Sequence, residues 1–186
     1  MGGGFSQMNE LTVIQTSQGL LRYIEKCFSN ENSQFTIVIG FDARHQSHRF
    51  ARLTASLFAH ENFRVYLFDS QFVPTPFIPF TVQKLNCHAG IMITASHNPK
   101  DDNGYKVYWK NGAQIVSPLD IEITQSINEN LQPWHGKAWN TNILEQNQFI
   151  HVFDPFDQVN FISLLFFLNQ NQNQNQKNFF FNFLCR

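Results

Sequence analysis

The chain has 186 residues and a formal net charge of −1, and it is 42% hydrophobic and 15% aromatic, with 21 phenylalanines. That length suits one ordinary domain, alone or with an extension, and with a near-neutral charge nothing global points to nucleic acid or an anionic membrane. Three widely spaced cysteines, Cys27, Cys87 and Cys185, form no disulfide framework and no Cys-x-x-Cys metal pattern, which points to free thiols in a reducing, cytoplasmic setting.

In chain order, Val13, Ile14, Leu20, Leu21, Ile24, Cys27 and Phe28 recur with a helical period, predicting an amphipathic helix from Leu11 to Phe28. Phe35 to Gly40 is a β-branched run closed by glycine and reads as a buried strand. The polar segment Phe41 to His48 leads into a second helix with Phe50, Leu53, Leu57 and Phe58 on one face. Arg64 to Phe68 is a strand. Pro74-Thr75-Pro76 opens a third helix through Phe77, Phe80, Val82 and Leu85, prolines being tolerated in a first turn. Ala89 to Thr94 and Val107 to Trp109 are strands, and Asn111-Gly112 predicts a tight hairpin turn into Ala113 to Val116. Ser117-Pro118 is expected to cap a last helix, Leu119 to about Leu131. Helices alternating with strands predict an α/β fold, a three-layer α/β/α sandwich with a mainly parallel, mixed sheet. Ligands of such sheets bind beyond the carboxyl ends of the strands, where segments 41–48 and 94–106 would lie.

The composition shifts beyond Glu145. Ten of the 21 phenylalanines fall at Phe149 or later, and Asn169 to Gln176 alternates Asn with Gln. We therefore divide the chain into a domain at 1–145 and a low-complexity extension at 146–186, disordered or the product of an aberrant reading frame. No run is apolar enough to span a bilayer, and no secretory signal opens the chain. Met1-Gly2-Gly3-Gly4-Phe5-Ser6 fits the permissive N-myristoylation pattern, which a glycine run beside the start imitates.

Chemistry concentrates in Thr94-Ala95-Ser96-His97-Asn98-Pro99 and Asn103-Gly104-Tyr105-Lys106. A serine needs a partner to position it and receive its proton. His97 adjoins Ser96, and Lys106 can fold back toward it if the loop turns between two strands. The positive charge suits phosphoryl transfer more than peptide hydrolysis, and no Gly-x-Ser-x-Gly elbow or phosphate-binding Gly-Lys-Ser/Thr motif is present. On the residues alone, Ser96 and Asn98 read more readily as turn residues and His97 as a surface side chain.

The serine loop closely resembles the phosphoserine loop of the α-D-phosphohexomutases. Met8 to Thr16, Gly40-Phe41-Asp42-Ala43-Arg44, Pro74-Thr75-Pro76-Phe77, Tyr105 to Trp109 and Asn111 to Ile115 resemble the branch containing phosphoglucomutase/phosphopentomutase and glucose 1,6-bisphosphate synthase. The resemblance covers roughly residues 1–140. It implies an intramolecular phosphotransferase acting on sugar phosphates, activated by glucose 1,6-bisphosphate, with Ser96 carrying the phosphoryl group, His97 contacting phosphate or sugar, and Lys106 as general acid/base. Asn98 and Arg44 are the candidate substrate-binding residues, although an Asp42–Arg44 salt bridge within the loop is an equal reading. The resemblance also implies Mg²⁺ on a phosphorylated Ser96, its other ligands coming from an Asp-Gly-Asp-x-Asp-Arg loop in a second domain. That loop, an early Phe-Gly-Thr-Ala-Gly-Leu-Arg-like segment, the sugar-specificity loop and the C-terminal phosphate-clamping domain are not in this sequence. We therefore expect an N-terminally incomplete first domain whose missing partners are the other domains of the family. The alternative to a working enzyme is a catalytically incomplete fragment or phosphosugar-binding remnant. His45 and His48 are expected to be exposed, and Trp109 and Trp134 to pack rather than to hold sugar.

Overall fold

The computed structural model describes residue 4 and residues 7–69, 72–146 and 150–152. Helix α1 (Glu10–Cys27) starts one residue earlier than its periodicity predicts, because Asn9 and Thr12 form a reciprocal cap. The Asn9 side chain accepts from the Thr12 amide at 3.0 Å and Thr12 Oγ1 accepts from the Asn9 amide at 3.0 Å, so two end amides are satisfied at once. Strand β1 (Thr36–Phe41), helix α2 (Ser47–His60), strand β2 (Arg64–Leu67), helix α3 (Phe77–Lys84), and strands β3 (Ala89–Ile93) and β4 (Tyr105–Trp109) follow as the hydrophobic patterns predict. Helix α4 (Leu119–Glu129), a one-turn helix α5 (Ile143–Gln146) and strand β5 (Ile150–Val152) complete the described chain.

The five strands form one sheet in the order β4-β3-β1-β2-β5, parallel except for the antiparallel β3–β4 pair. Alternation along β1 sends Ile37 and Ile39 into a core shared with α1 and α2, and Val38 into a second core with Val73, Phe77, Ile78 and Val82. The sheet is thus covered on both faces and the fold is the three-layer sandwich. Gly40 and Gly90 sit on the α3 side, where a Cβ would meet Ile78 at 2.7 Å in each case, so their lack of a side chain sets how closely α3 lies on the sheet.

Helix α4 packs outside α1 rather than on the sheet, with only Ile123 of its own residues buried. It ends at Glu129 instead of about Leu131. Fully buried Gln18 donates to Asn130 O (2.9 Å) and Gln132 O (3.0 Å), and Gln15 donates to Leu131 O (2.9 Å), so those carbonyls face α1 and not a further helical turn. Ser117 does not cap this helix, since its hydroxyl donates to Asp120 Oδ1 at 2.9 Å. The predicted hairpin arm is also shorter than expected. After the Asn111-Gly112 turn a single Tyr108–Gln114 bridge forms, and the chain leaves the sheet to reach Pro118 and α4.

Strand β5 pairs parallel with β2 at Val65–Ile150, Tyr66–His151 and Leu67–Val152, so sheet pairing continues beyond Glu145. No periodicity announced it. The Asn/Gln run, Cys185, and Gly2 and Gly3 of the myristoylation-like start lie outside the described residues.

Candidate active site

Strand β1 pairs with β2 on one side and β3 on the other. The chain therefore leaves β1 in one direction and returns to its other side, which makes the carboxyl edge between β1 and β3 a topological switch point. The loop after β1, Asp42 to Gln46, and the loop after β3, Thr94 to Gly104, both emerge there. Antiparallel β4 begins at the same edge, with Tyr105 opposite Ile93 and Lys106 opposite Met92. The Thr94 amide donates to Gly104 O at 2.9 Å and closes the base of the serine loop.

That base brings Lys106 to Ser96, and Lys106 Nζ donates to Ser96 Oγ. Burial holds the Lys106 ammonium below its usual range, with Arg44 pushing the same way and Asp42 opposing them. Ser96 is exposed and has φ +56°, a left-handed conformation that a non-glycine residue adopts only when its surroundings impose it. Its amide donates to Thr94 Oγ1 at 3.0 Å.

Arg44 lies beneath the loop with its side chain 12% exposed. Nε donates to Asp42 Oδ2 at 3.0 Å, Nη1 to Pro99 O at 2.6 Å and Asp102 O at 3.1 Å, and Nη2 to Ser96 O at 2.6 Å and Asn98 O at 2.9 Å. A guanidinium has five N–H donors, and here the chain itself occupies all five. The Asp42–Arg44 salt bridge expected as the other reading of this pair is present, and the remaining donors support the loop. Asp42 is the second hub, accepting from the Thr94 hydroxyl at 2.5 Å, the Ser47 hydroxyl at 2.9 Å and the Arg44 amide at 3.2 Å. Buried Asn103 ties the two loops together, its amide donating to His45 O (3.1 Å) and Ser47 Oγ (2.9 Å) while its oxygen accepts from the Gly104 amide (2.9 Å).

Of the predicted residues, the fold thus brings Ser96, Lys106 and Arg44 together. His97 is exposed beside Ser96. Asn98 turns its amide to Asp102 Oδ2 at 3.0 Å, a contact within the loop. Thr94 and Asn103 stood in the serine-loop motif without a site role, and Ser47 was not singled out from the sequence. Their signal was membership of the same two polar segments, which does not reveal which hydroxyl faces which carboxylate. His45 and His48 are exposed, and His48 Nε2 lies 2.7 Å from Asp69 Oδ1. Trp109 stacks on Phe28 with centroids 5.4 Å apart, and Arg22 lies 4.5 Å over the Trp134 ring; both indoles pack.

A Mg²⁺ on a phosphorylated Ser96 would need further oxygen ligands. Among the described residues no group of three or more His, Cys, Asp or Glu side chains could hold a metal, and the nearby Asp42 carboxylate already serves four donors. These residues alone do not fit a complete magnesium site. No helix of the described residues is long and apolar enough to cross a membrane.

Fold and loop together define a class: a three-layer α/β domain presenting a lysine-paired serine beyond the carboxyl edge of its sheet. Residues 3–134 match the family described as phosphoglucomutase/phosphomannomutase, alpha/beta/alpha domain I. The chain is 56% identical over 157 residues to the human phosphopentomutase, covering 81% of this chain and 25% of that protein. It is 52% identical over 151 residues to the human glucose 1,6-bisphosphate synthase, covering 78% of this chain and 24% of that one. In structure it is similar to the open form of parafusin, a phosphoglucomutase of Paramecium, with a TM-score of 0.56 and 22% identity over 63% of this chain and 22% of that chain. The chain belongs to the phosphoglucomutase/phosphomannomutase family, the α-D-phosphohexomutases, and contains its α/β/α domain I. It spans about a quarter of the length of the curated relatives it matches.

Proposed function

We propose that this chain carries the phosphoryl-accepting serine of a phosphopentomutase- or phosphoglucomutase-like phosphosugar mutase, working in the cytoplasm on sugar phosphates. The observation that carries this reading is the Lys106–Ser96 hydrogen bond on a loop with a left-handed serine. To load the serine, Ser96 Oγ attacks a phosphorus of a sugar bisphosphate, the hydroxyl proton passes to neutral Lys106, and the bond from phosphorus to the sugar oxygen breaks as that oxygen takes a proton from water. In the transfer back, a sugar hydroxyl attacks the phosphoserine and gives its proton to water, while protonated Lys106 returns a proton to Ser96 Oγ as the P–Oγ bond breaks. A partly buried amine with a lowered pKa serves both directions at neutral pH better than an ordinary surface lysine. His97, exposed beside Ser96, is available to phosphate or sugar. Mg²⁺ belongs to this proposal as a charge-neutralising ion on the phosphoserine, with one ligand from this chain.

The test is to incubate the purified chain with Mg²⁺ and glucose 1,6-bisphosphate and to measure its intact mass. One added phosphate, mapped to Ser96 and absent from Ser96→Ala, is expected; no gain in mass overturns the reading. A second reading, a domain that accepts phosphate but does not turn over, is favoured by the incomplete magnesium site. Turnover of ribose 1-phosphate or glucose 1-phosphate by this chain would exclude it.

A further inference from the structure

The geometry points to Arg44 as the positioning residue that holds the serine loop in its phosphoryl-accepting shape, by collecting the loop's carbonyls on one side and leaving its free amides on the other. This rests on the function proposed above and adds a residue role to it. The four carbonyls that Arg44 binds, of Ser96, Asn98, Pro99 and Asp102, span almost the whole turn. In a trans peptide the N–H points opposite to the carbonyl of the same unit. The amides that follow those carbonyls, on His97, Lys100 and Asn103, are therefore turned away from Arg44; the fourth unit ends in Pro99 and has none. The amides of His97 and Lys100 make no hydrogen bond among the described residues. Outward N–H groups of this kind suit an anion, and the guanidinium neutralises the carbonyl oxygens that would otherwise repel one.

The same contacts explain why Ser96 can stay at φ +56°. Its carbonyl is bound by Arg44 at 2.6 Å and its amide by Thr94 Oγ1 at 3.0 Å, and both partners are in turn fixed by Asp42 Oδ2. Both peptide groups flanking the serine are thus held through one carboxylate. A lysine at 44 has no planar fork and could not bind carbonyls on two sides while bonding Asp42.

Two measurements on the full chain test this. The first is hydrogen exchange, which needs no phosphoryl transfer. In Arg44→Lys and Arg44→Ala the bonded amides of Ser96, Asn98 and Asp102 should exchange roughly tenfold faster or more, while β1 and β3 keep their protection. The second is the rate of Ser96 phosphorylation by glucose 1,6-bisphosphate. It should fall about 100-fold in Arg44→Ala, the scale of a misplaced reacting group, and recover in part with added methylguanidinium, which a merely structural defect would not do. Unchanged loop exchange in both variants overturns the proposal, as does failure of both to fold, which would make Arg44 a stability residue. If wild type gains no phosphate, the function reading fails while the exchange result still judges Arg44.

Discussion

Lys106 reaches Ser96 because the β3–β4 register places it opposite Met92, so the loop from Thr94 to Gly104 returns its amine to the serine hydroxyl. Burial lowers the pKa of that amine below 10.5. If neutral Lys106 takes the serine proton, Ser96 phosphorylation should accelerate with rising pH and level off before 10.5. Lys106→Met should lose about 10²–10⁴-fold. Lys106→Arg keeps a charge but cannot deprotonate, so it should be slow at every pH. A lysine variant with wild-type rates would remove Lys106 from the mechanism.

The elements that hydrophobic periodicity describes were legible in the sequence. Val13, Ile14, Leu20 and Leu21 announce α1, and the run from Phe35 to Gly40 announces β1, because one buried face is written directly into the spacing. What was not legible depends on contacts distant in sequence. Gln18 ending α4 and β5 joining β2 follow from tertiary pairing, and three residues such as Ile150 to Val152 are too few to show a period. The site divides in the same way. Ser96 and Lys106 were legible as a motif, whereas the task of Arg44 depends on five acceptors spread over 61 residues of chain from Asp42 to Asp102, which no local pattern encodes.

The two described cysteines should differ sharply in reactivity. Cys27 is exposed and Cys87 is buried, and burial pushes the Cys87 thiol up to about 12, leaving almost no thiolate at neutral pH. Alkylation of the native chain followed by peptide mapping should modify Cys27 within minutes and Cys87 only after denaturant is added. Rapid native labelling of Cys87 would contradict the packing of β3.

Helices α1 and α4 cross at Gly19, where a Cβ would stand 2.3 Å from Ile127 Cα and 2.5 Å from Ile127 N. Both obstacles are backbone, so no rotamer change relieves the clash, and Ser126 Oγ also donates to Gly19 O at 2.8 Å. Gly19→Ala gains helix propensity but must separate the helices, at a cost of about 1–3 kcal/mol. Denaturant titration should show a lower midpoint with an unchanged slope. A stabilised variant would mean that α4 does not lie this close.

His88 should make stability fall in mild acid. The residue is 3% exposed, with Phe28 and Phe35 edge-on to its ring at 4.9 and 5.4 Å. Nδ1 accepts from the Thr36 amide at 3.0 Å, and Nε2 lies 3.2 Å from Glu31 Oε2. The neutral tautomer protonated at Nε2 satisfies both contacts, whereas charging the ring puts a proton on Nδ1, facing an amide that needs an acceptor. Burial is the main cause that lowers its pKa from 6.5; Lys110 adds to it, while Glu31 and the Thr36 backbone contact oppose it. A depressed folded pKa means that the unfolded chain binds the proton more tightly. The stability from neutral His88 is therefore full above 6.5 and is lost as pH falls through the folded value. Glu31 is itself lowered from 4.5, chiefly by Lys110, so its own contribution is full above 4.5 and is lost only at more acid pH. Thermal midpoints at about pH 7.5 and about pH 5.2 should fall further for wild type than for His88→Asn, whose side-chain oxygen can still accept from Thr36. Equal falls would show that His88 does not control this window.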